Sequence, residues 1–191
     1  MTKHLIIVAG ANGSGKTTLS KQVMQMRQYD FLNADEIAKE INTEVNATIQ
    51  LQAGRIFFKN LNTWLIEGRN FILESTLSGK YLTKVIEKAK QNGYEITIIY
   101  AFLENPQECI ERIAIRVKNG GHHIPDEDVI RRFYRSKTNF WQHYKDIVDE
   151  WLLYYNGNQD TKRVALGNKK QFTVEETLLF ELFIKDVTHG S

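Results

Sequence analysis

The feature that most constrains the fold is the eight-residue string at 10–17, GANGSGKT, in which two glycines frame a loop that ends in lysine and threonine. An apolar, β-branched run at residues 5–9 ends directly before it, and a stretch with helical spacing follows at 17–27. A glycine-rich loop between a buried strand and a helix N-terminus suits phosphate, because the backbone can curl around the oxygens and the helix adds positive potential. The string therefore predicts a phosphate-binding loop in a parallel α/β fold.

Each residue type in this loop has a predicted role. Lys16 neutralises the β and γ phosphates, and the Thr17 hydroxyl binds Mg²⁺. ATP is favoured over GTP, because residues 168–171 (NKKQ) lack the aspartate of a guanine-reading Asn-Lys-x-Asp string. We expect the nucleotide to contact Gly10, Ala11, Asn12, Gly13, Ser14, Gly15, Lys16, Thr17 and Thr18.

Short apolar runs alternate with stretches of helical spacing along the chain. Strands are predicted at 5–9, 71–73, 95–103 and 151–155, with weaker candidates at 29–32 and 163–166. Helices are predicted at 17–27, 36–41, 47–66, 82–92, 106–118 and 126–149. Residues 173–176 have the form of a capping box before a closing helix at 178–184. This alternation predicts a three-layer α/β fold, with a parallel sheet covered by helices on both faces.

Composition limits the classes of function. The 191 residues suit one domain, and the 25 basic and 23 acidic side chains nearly cancel, which disfavours a dedicated nucleic-acid binder. Cys109 is the single cysteine, so no internal disulfide forms and a reducing compartment is indicated. The apolar run at 5–9 is too short for a signal-peptide core or a membrane span. We therefore expect a cytoplasmic, soluble protein with no membrane partner.

Two carboxylates follow predicted strands, at the sheet edge where ligands bind in α/β folds. Asp35 comes after the second strand and is predicted to take the proton of an attacking hydroxyl or to hold a magnesium water. The alternative is that Asp35 only caps the helix that follows it. Glu74 ends the strand at 71–73, and with Thr76 it is predicted to hold the acceptor; the alternative is a solvated surface carboxylate.

Arginines cluster around a glycine-containing segment later in the chain. Arg112 and Arg116 are four residues apart and so share one helix face, and Arg131, Arg132 and Arg135 follow the segment. The pattern predicts a lid at about residues 117–130, with one or two arginines stabilising the charge of the transferred phosphoryl group. The alternative for most of them is pairing with acidic residues on a solvated helix.

Five segments together carry a family resemblance: GANGSGKTT, LNADEIAKE, AGR, FILESTLSG and RVKNGGHHIPDEDVIRRFYRS, which begin at residues 10, 32, 53, 71 and 116. Through them, residues 4–155 resemble the zeta-toxin family of P-loop kinases. The resemblance implies a sheet with the phosphate-loop strand at its centre and ATP and Mg²⁺ as cofactors. For the toxins proper it implies phosphorylation of a UDP-N-acetylamino sugar, and an antitoxin protein as partner.

The resemblance also implies roles for individual residues. Lys16 and Thr17 serve ATP and Mg²⁺, Asp35 is the general base, and Glu74 with Thr76 contacts the sugar nucleotide. Arg116 lies in the segment that supplies a phosphate-binding arginine. The arginine pattern itself, and not the resemblance, predicts Arg112 and Arg132 as further nucleotide contacts. His122 stands where the toxins have a second arginine, so that role passes to Arg131 or Arg132 or is missing.

Two other functions stay open. One is an ATP-dependent switch that signals occupancy to a partner protein without phosphorylating an acceptor. The other is a kinase of polynucleotide 5′-hydroxyl ends, which the near-neutral charge disfavours.

Overall fold

Seven strands form a single sheet in the computed structural model, which describes residues 2–42, 47–121, 123–157 and 160–189. The strands are β1 (Lys3–Ala9), β2 (Asp30–Leu32), β3 (Phe71–Ser75), β4 (Tyr94–Phe102), β5 (Glu150–Asn156), β6 (Thr161–Asn168) and β7 (Phe172–Val174). The helices are α1 (Lys16–Arg27), α2 (Ala34–Ile41), α3 (Ala47–Glu67), α4 (Tyr81–Gln91), α5 (Pro106–Lys118), α6 (Asp126–Asn139), α7 (Lys145–Ile147) and α8 (Thr177–His189), with a π-helical turn at Phe140–Tyr144. Among these described helices, none combines the length and apolar character needed to cross a membrane.

The sheet is mixed and has the spatial order β2-β3-β1-β4-β5-β6-β7. The first five strands are parallel, whereas β6 and β7 are antiparallel to their neighbours. Helices cover both faces, which confirms the predicted α/β class. The strand predicted at 163–166 is antiparallel because the link from β5 to β6 is too short for the helical crossover that parallel strands need.

The capping box predicted at residues 173–176 is wrong. Thr173 lies in β7 opposite Leu166, so the sheet ladder takes up its backbone. The amides of Glu175 and Glu176 both donate to the Val164 carbonyl, at 2.8 and 3.2 Å, which leads the chain out of the sheet. Helix α8 therefore begins at Thr177, after a strand that the local pattern did not predict.

The helix predicted at 126–149 is interrupted by the π-helical turn. Around this turn the chain is bound to the loop after β3: Asn139 Nδ2 donates to the Leu77 carbonyl at 2.7 Å, and the Tyr144 hydroxyl donates to the Gly79 carbonyl at 2.8 Å. Phe140 stacks on Tyr100 of β4, with ring centroids 4.4 Å apart. The wider turn places all three side chains against the sheet and this loop, so α6 is fixed at its C-terminal end.

Helix α8 is fastened to α6 by a buried ion pair. Lys137 is 1% exposed, and its Nζ lies 2.5 Å from Asp186 Oδ2 and 3.1 Å from the Leu103 carbonyl. The Phe133 ring centroid lies 4.1 Å from the same ammonium. Because a buried charge is tolerated only when it is paired, these contacts fix how α8 packs on the core.

Candidate active site

The loop between β1 and α1 has the backbone of a phosphate-binding loop. Gly13 and Gly15 have φ values of +82° and +86°, in the left-handed region that favours glycine. A Cβ at Gly13 would lie 2.5 Å from the Cys109 carbonyl oxygen, at the start of α5. The loop is therefore packed directly on backbone, and only glycine fits at residue 13.

Lys16 crosses this loop at the start of α1. Its Nζ donates to the Ala11 carbonyl at 2.7 Å, so the ammonium lies over the loop backbone. Burial lowers the pKa of Lys16, and the negative charges of Glu74 and Asp35 partly offset that effect. An added phosphate would supply a stronger anionic partner at the same place, which suits the role predicted for this lysine.

Glu74 lies near the end of β3, opposite Val8 of β1. Its Oε2 accepts hydrogen bonds from Thr17 Oγ1 at 3.2 Å and from Asn33 Nδ2 at 2.9 Å. Its Oε1 is buried and has no hydrogen-bond partner among the described residues. Burial raises the pKa of Glu74, opposed by hydrogen bonding and by the positive charge of Lys16. A hydroxyl and a carboxylate that line one cavity are the oxygen donor types that Mg²⁺ prefers, so these residues fit the ion.

Asn33 positions both candidate carboxylates, and sequence reasoning missed it. Its Oδ1 caps α2 by accepting from the amides of Asp35 at 2.7 Å and Glu36 at 3.4 Å. The alternative in which Asp35 caps the helix is therefore wrong, and the exposed Asp35 side chain lines the cavity. The sequence did hold a cue, because asparagine is a preferred N-cap and stands directly between a strand and a helix.

A cavity of about 700 Å³ opens above the loop at this sheet edge, a size that suits a nucleotide. Gly10, Ala11 and Ser14 are buried beneath it and do not line it. The other predicted site residues all line it: Asn12, Gly13, Gly15, Lys16, Thr17, Thr18, Asp35, Glu74, Thr76, Arg112, Arg116 and Arg132. The structure thus brings the predicted nucleotide, carboxylate and arginine groups into one space.

The five arginines divide by their position relative to the cavity. Arg112, Arg116 and Arg132 line it, and Arg132 Nη1 donates to Asn12 Oδ1 of the phosphate loop at 3.2 Å. Arg131 and Arg135 are exposed and do not line it, and Arg131 pairs with Asp128 at 2.7 Å. For Arg131 the solvated-helix alternative therefore holds. His122, where the resemblance expects an arginine, lies outside the described residues.

Asn156, at the end of β5, is a second positioning residue that sequence reasoning missed. Its Nδ2 donates to the Ser14 carbonyl at 2.8 Å, which holds the phosphate loop. Its own carbonyl accepts from Arg112 Nη2 at 2.9 Å, and its Oδ1 accepts from Thr161 Oγ1 at 2.8 Å. A polar residue directly after the apolar run at 151–155 was the available cue.

Replacing Asn156 should weaken nucleotide binding. We expect Asn156→Ala to raise the Kd of Mg·ATP about tenfold, because the loop loses a hydrogen bond worth about 1 kcal/mol and the Ser14 carbonyl is left unsatisfied. Thr161→Val is the matched control, since it removes only the bond to Asn156 Oδ1 that faces away from the loop. Isothermal titration with ATP checks both variants, and equal losses in the two would contradict the positioning role.

Comparison with known proteins agrees with this geometry. The family model described as AAA domain matches residues 5–138. An uncharacterized protein of Haemophilus influenzae is 32% identical over 134 residues, which are 70% of this chain and 94% of that protein. A shikimate kinase of Francisella tularensis subsp. holarctica is 23% identical over 184 residues, which are 93% of this chain and 98% of the kinase.

Two solved structures share the fold. The AvrRxo1-ORF1:-ORF2 complex with ATP has a TM-score of 0.76 at 15% identity, and the match covers 97% of this chain but only 64% of that one. The PezAT chromosomal toxin-antitoxin system of Streptococcus pneumoniae has a TM-score of 0.66 at 19% identity, covering 99% of this chain and 84% of that one. The sheet, the phosphate loop and these matches establish a P-loop kinase-like fold. Because the family model spans well over half of the 191 residues, the chain belongs to the AAA domain family.

Proposed function

We propose that this protein is a kinase that uses ATP and Mg²⁺ to phosphorylate a hydroxyl group of a small molecule. The observation that carries the proposal is the shared cavity, which holds Asp35, the phosphate loop, the Thr17–Glu74 pair and three arginines. An exposed carboxylate beside the loop is placed where the hydroxyl of an acceptor would meet the γ-phosphate. The family match and the loop geometry support the use of a nucleotide.

The reaction assigns one role to each group. Asp35 accepts the proton of the acceptor hydroxyl, whose oxygen forms the new bond to the γ-phosphorus as the bond to the β–γ bridging oxygen breaks and ADP leaves. Lys16 neutralises charge on the β and γ phosphates. Arg116 is placed to stabilise the transferred group, with Arg112 and Arg132 on the nucleotide. All of these side chains line the same cavity.

Thr17 and Glu74 would hold Mg²⁺, since the hydroxyl and the carboxylate are already in contact and both line the cavity beside the phosphate loop. When bound, the ion neutralises charge on the β and γ phosphate oxygens. Glu74 and Thr76 both line the cavity, and we propose that they also contact the acceptor, as the sequence predicted.

The finer identity of the acceptor is part of the same proposal. The resemblance of residues 4–155 to the zeta-toxin family makes a UDP-N-acetylamino sugar the first acceptor to test. The likeness to the PezAT toxin-antitoxin system supports an antitoxin-like protein as the partner to test. We also propose that residues 117–130 act as a lid on one 191-residue domain, because this segment joins the end of α5 to the start of α6, and these two helices carry the three arginines that line the cavity.

The decisive experiment follows phosphate transfer by ³¹P NMR with Mg·ATP and a panel of acceptors. The panel contains UDP-N-acetylglucosamine, shikimate, nucleosides and short RNAs with 5′-hydroxyl ends. A phosphorylated small molecule supports the proposal. ATP binding with slow hydrolysis that no acceptor accelerates would favour the switch function instead. Transfer confined to RNA ends, with strongly salt-dependent binding, would identify a polynucleotide kinase.

A further inference from the structure

A second cavity of about 430 Å³ adjoins the first on the far side of Asp35. Asn12, Ala34, Asp35, Arg116 and Arg132 line both cavities, so the two are continuous around the proposed base. Residues of α2, α3 and the α5–α6 connection complete the second cavity, and they include Lys39, Gln50, Ala53 and His123. Neither the phosphate loop glycines nor Glu74 reach it.

Lys39 is a cationic residue of this cavity that has no role in the proposed chemistry. It follows Asp35 by four residues on α2, which places the two side chains on one helix face with Cβ atoms about 6 Å apart. The rotation of α2 is fixed, because Ala38 is 3% exposed and packs in a cluster with Ile49 and Ala53 of α3. The candidate base and the lysine are therefore presented together to the same space.

The charge of the second cavity favours an anion. Cationic side chains line it from three helices, with Lys39 on α2, Arg116 on α5 and Arg132 on α6. Asp128 is the other carboxylate in the lining, and it is already shared between Arg131 at 2.7 Å and Arg132 at 3.4 Å. A neutral acceptor would gain little from Lys39, whereas an anionic group would gain a charge-assisted hydrogen bond there.

We infer that the second cavity receives the anionic end of the acceptor, and that Lys39 binds an anionic oxygen group there while the accepting hydroxyl lies at Asp35, which lines both cavities. The substrate class is an alcohol that carries a phosphate or carboxylate group within reach of Lys39 when its hydroxyl lies at Asp35. Lys39 is a specificity residue in this scheme, because it contacts the acceptor at a distance from the reacting atoms. The inference rests on the proposed function but can be tested separately.

The binding test fills the phosphate loop with Mg·AMP-PNP and then titrates inorganic phosphate, so that the first anion site is already occupied. We expect phosphate to bind wild-type protein and to bind Lys39→Met about tenfold more weakly. Lys21→Met, an exposed lysine of α1 outside both cavities, is the matched control and should bind as wild type does. Thermal unfolding of both variants and their AMP-PNP affinity should be unchanged. Absence of phosphate binding in wild type, or equal binding by the Lys39 variant, would overturn the inference.

A kinetic test separates this inference from the proposed function. Shikimate and UDP-N-acetylglucosamine carry anionic groups, and N-acetylglucosamine is an uncharged comparison. For an anionic acceptor, Lys39→Met should raise its KM about tenfold with little change in kcat or in the KM for ATP. Phosphate binding that depends on Lys39, without transfer to any acceptor, would support the anion pocket and contradict the proposed kinase function. Phosphate transfer with the same KM in wild type and Lys39→Met would support the kinase function and refute the anion pocket.

Discussion

Asp35→Asn is expected to lower the rate of phosphoryl transfer by about 10²–10⁴-fold while ATP affinity changes by less than about twofold. The amide has nearly the shape of the carboxylate but cannot take the proton of the attacking hydroxyl. Helix α2 should stay intact because Asn33, and not Asp35, supplies the capping oxygen. Single-turnover transfer to the acceptor and isothermal titration with ATP measure the two quantities on one preparation.

Glu40→Gln is the matched control for this change, since it removes a carboxylate from the same helix at an exposed residue outside both cavities. It should leave transfer and ATP binding as they are in wild type. Near wild-type transfer by Asp35→Asn would show that another group is the base. Loss of ATP binding together with transfer would mean that Asp35 acts by shaping the loop.

Gly13→Ala is expected to weaken ATP binding by about 100-fold or more and to destabilise the fold by about 2–4 kcal/mol. Two causes add. The residue has a φ of +82°, and its new Cβ would lie 2.5 Å from the Cys109 carbonyl oxygen and 2.9 Å from the Cys109 Cα. Because both contacts are with backbone, no side-chain rotation relieves them, and either the loop or α5 must move.

Gly93→Ala separates the effect of the positive φ from the effect of the clash with Cys109. Gly93 has a φ of +79°, but a Cβ there would meet nothing within 4 Å, so we expect a cost of about 1 kcal/mol and no effect on ATP. Urea unfolding and ATP titration of both variants make the comparison. Equal destabilisation by the two changes would show that the contact with Cys109 is not a constraint on the loop.

The parts of the site that sequence could predict are those that local rules specify. The phosphate loop has a fixed spacing, and residues at the ends of parallel strands meet at one edge, which is why Asp35 and Glu74 were expected near each other and do line one cavity. The contact between Thr17 and Glu74 depends instead on the register of β3 against β1, with Val8 opposite Glu74. No local pattern carries that register, so the pairing of these two residues was not foreseen.

Tertiary contacts explain why the capping pattern at 173–176 was wrong, and they decide which of the later arginines lines the cavity. Residues 173–176 satisfy a helix-capping pattern, yet the hairpin with β6 offers Thr173 a ladder partner in Leu166. Helical spacing placed Arg112 and Arg116 on one face, but it could not say which of the later arginines meets the cavity. That choice follows from the rotation of α6, which buries Val129 and Phe133 and turns Arg132 towards Asn12.

Helix α6 and the π-helical turn that follows it contact two parts of the site. Arg132 binds the phosphate loop through Asn12, while Asn139 and Tyr144 hold the carbonyls of Leu77 and Gly79 beside Thr76. A ligand that shifts the loop after β3 therefore acts on Asn139 and Tyr144 and, through α6, on the contact between Arg132 and Asn12. We expect coupled equilibria: whatever factor an acceptor imposes on ATP affinity, ATP imposes on acceptor affinity. Titrating each ligand with and without the other would measure that coupling free energy, and Asn139→Ala should reduce it.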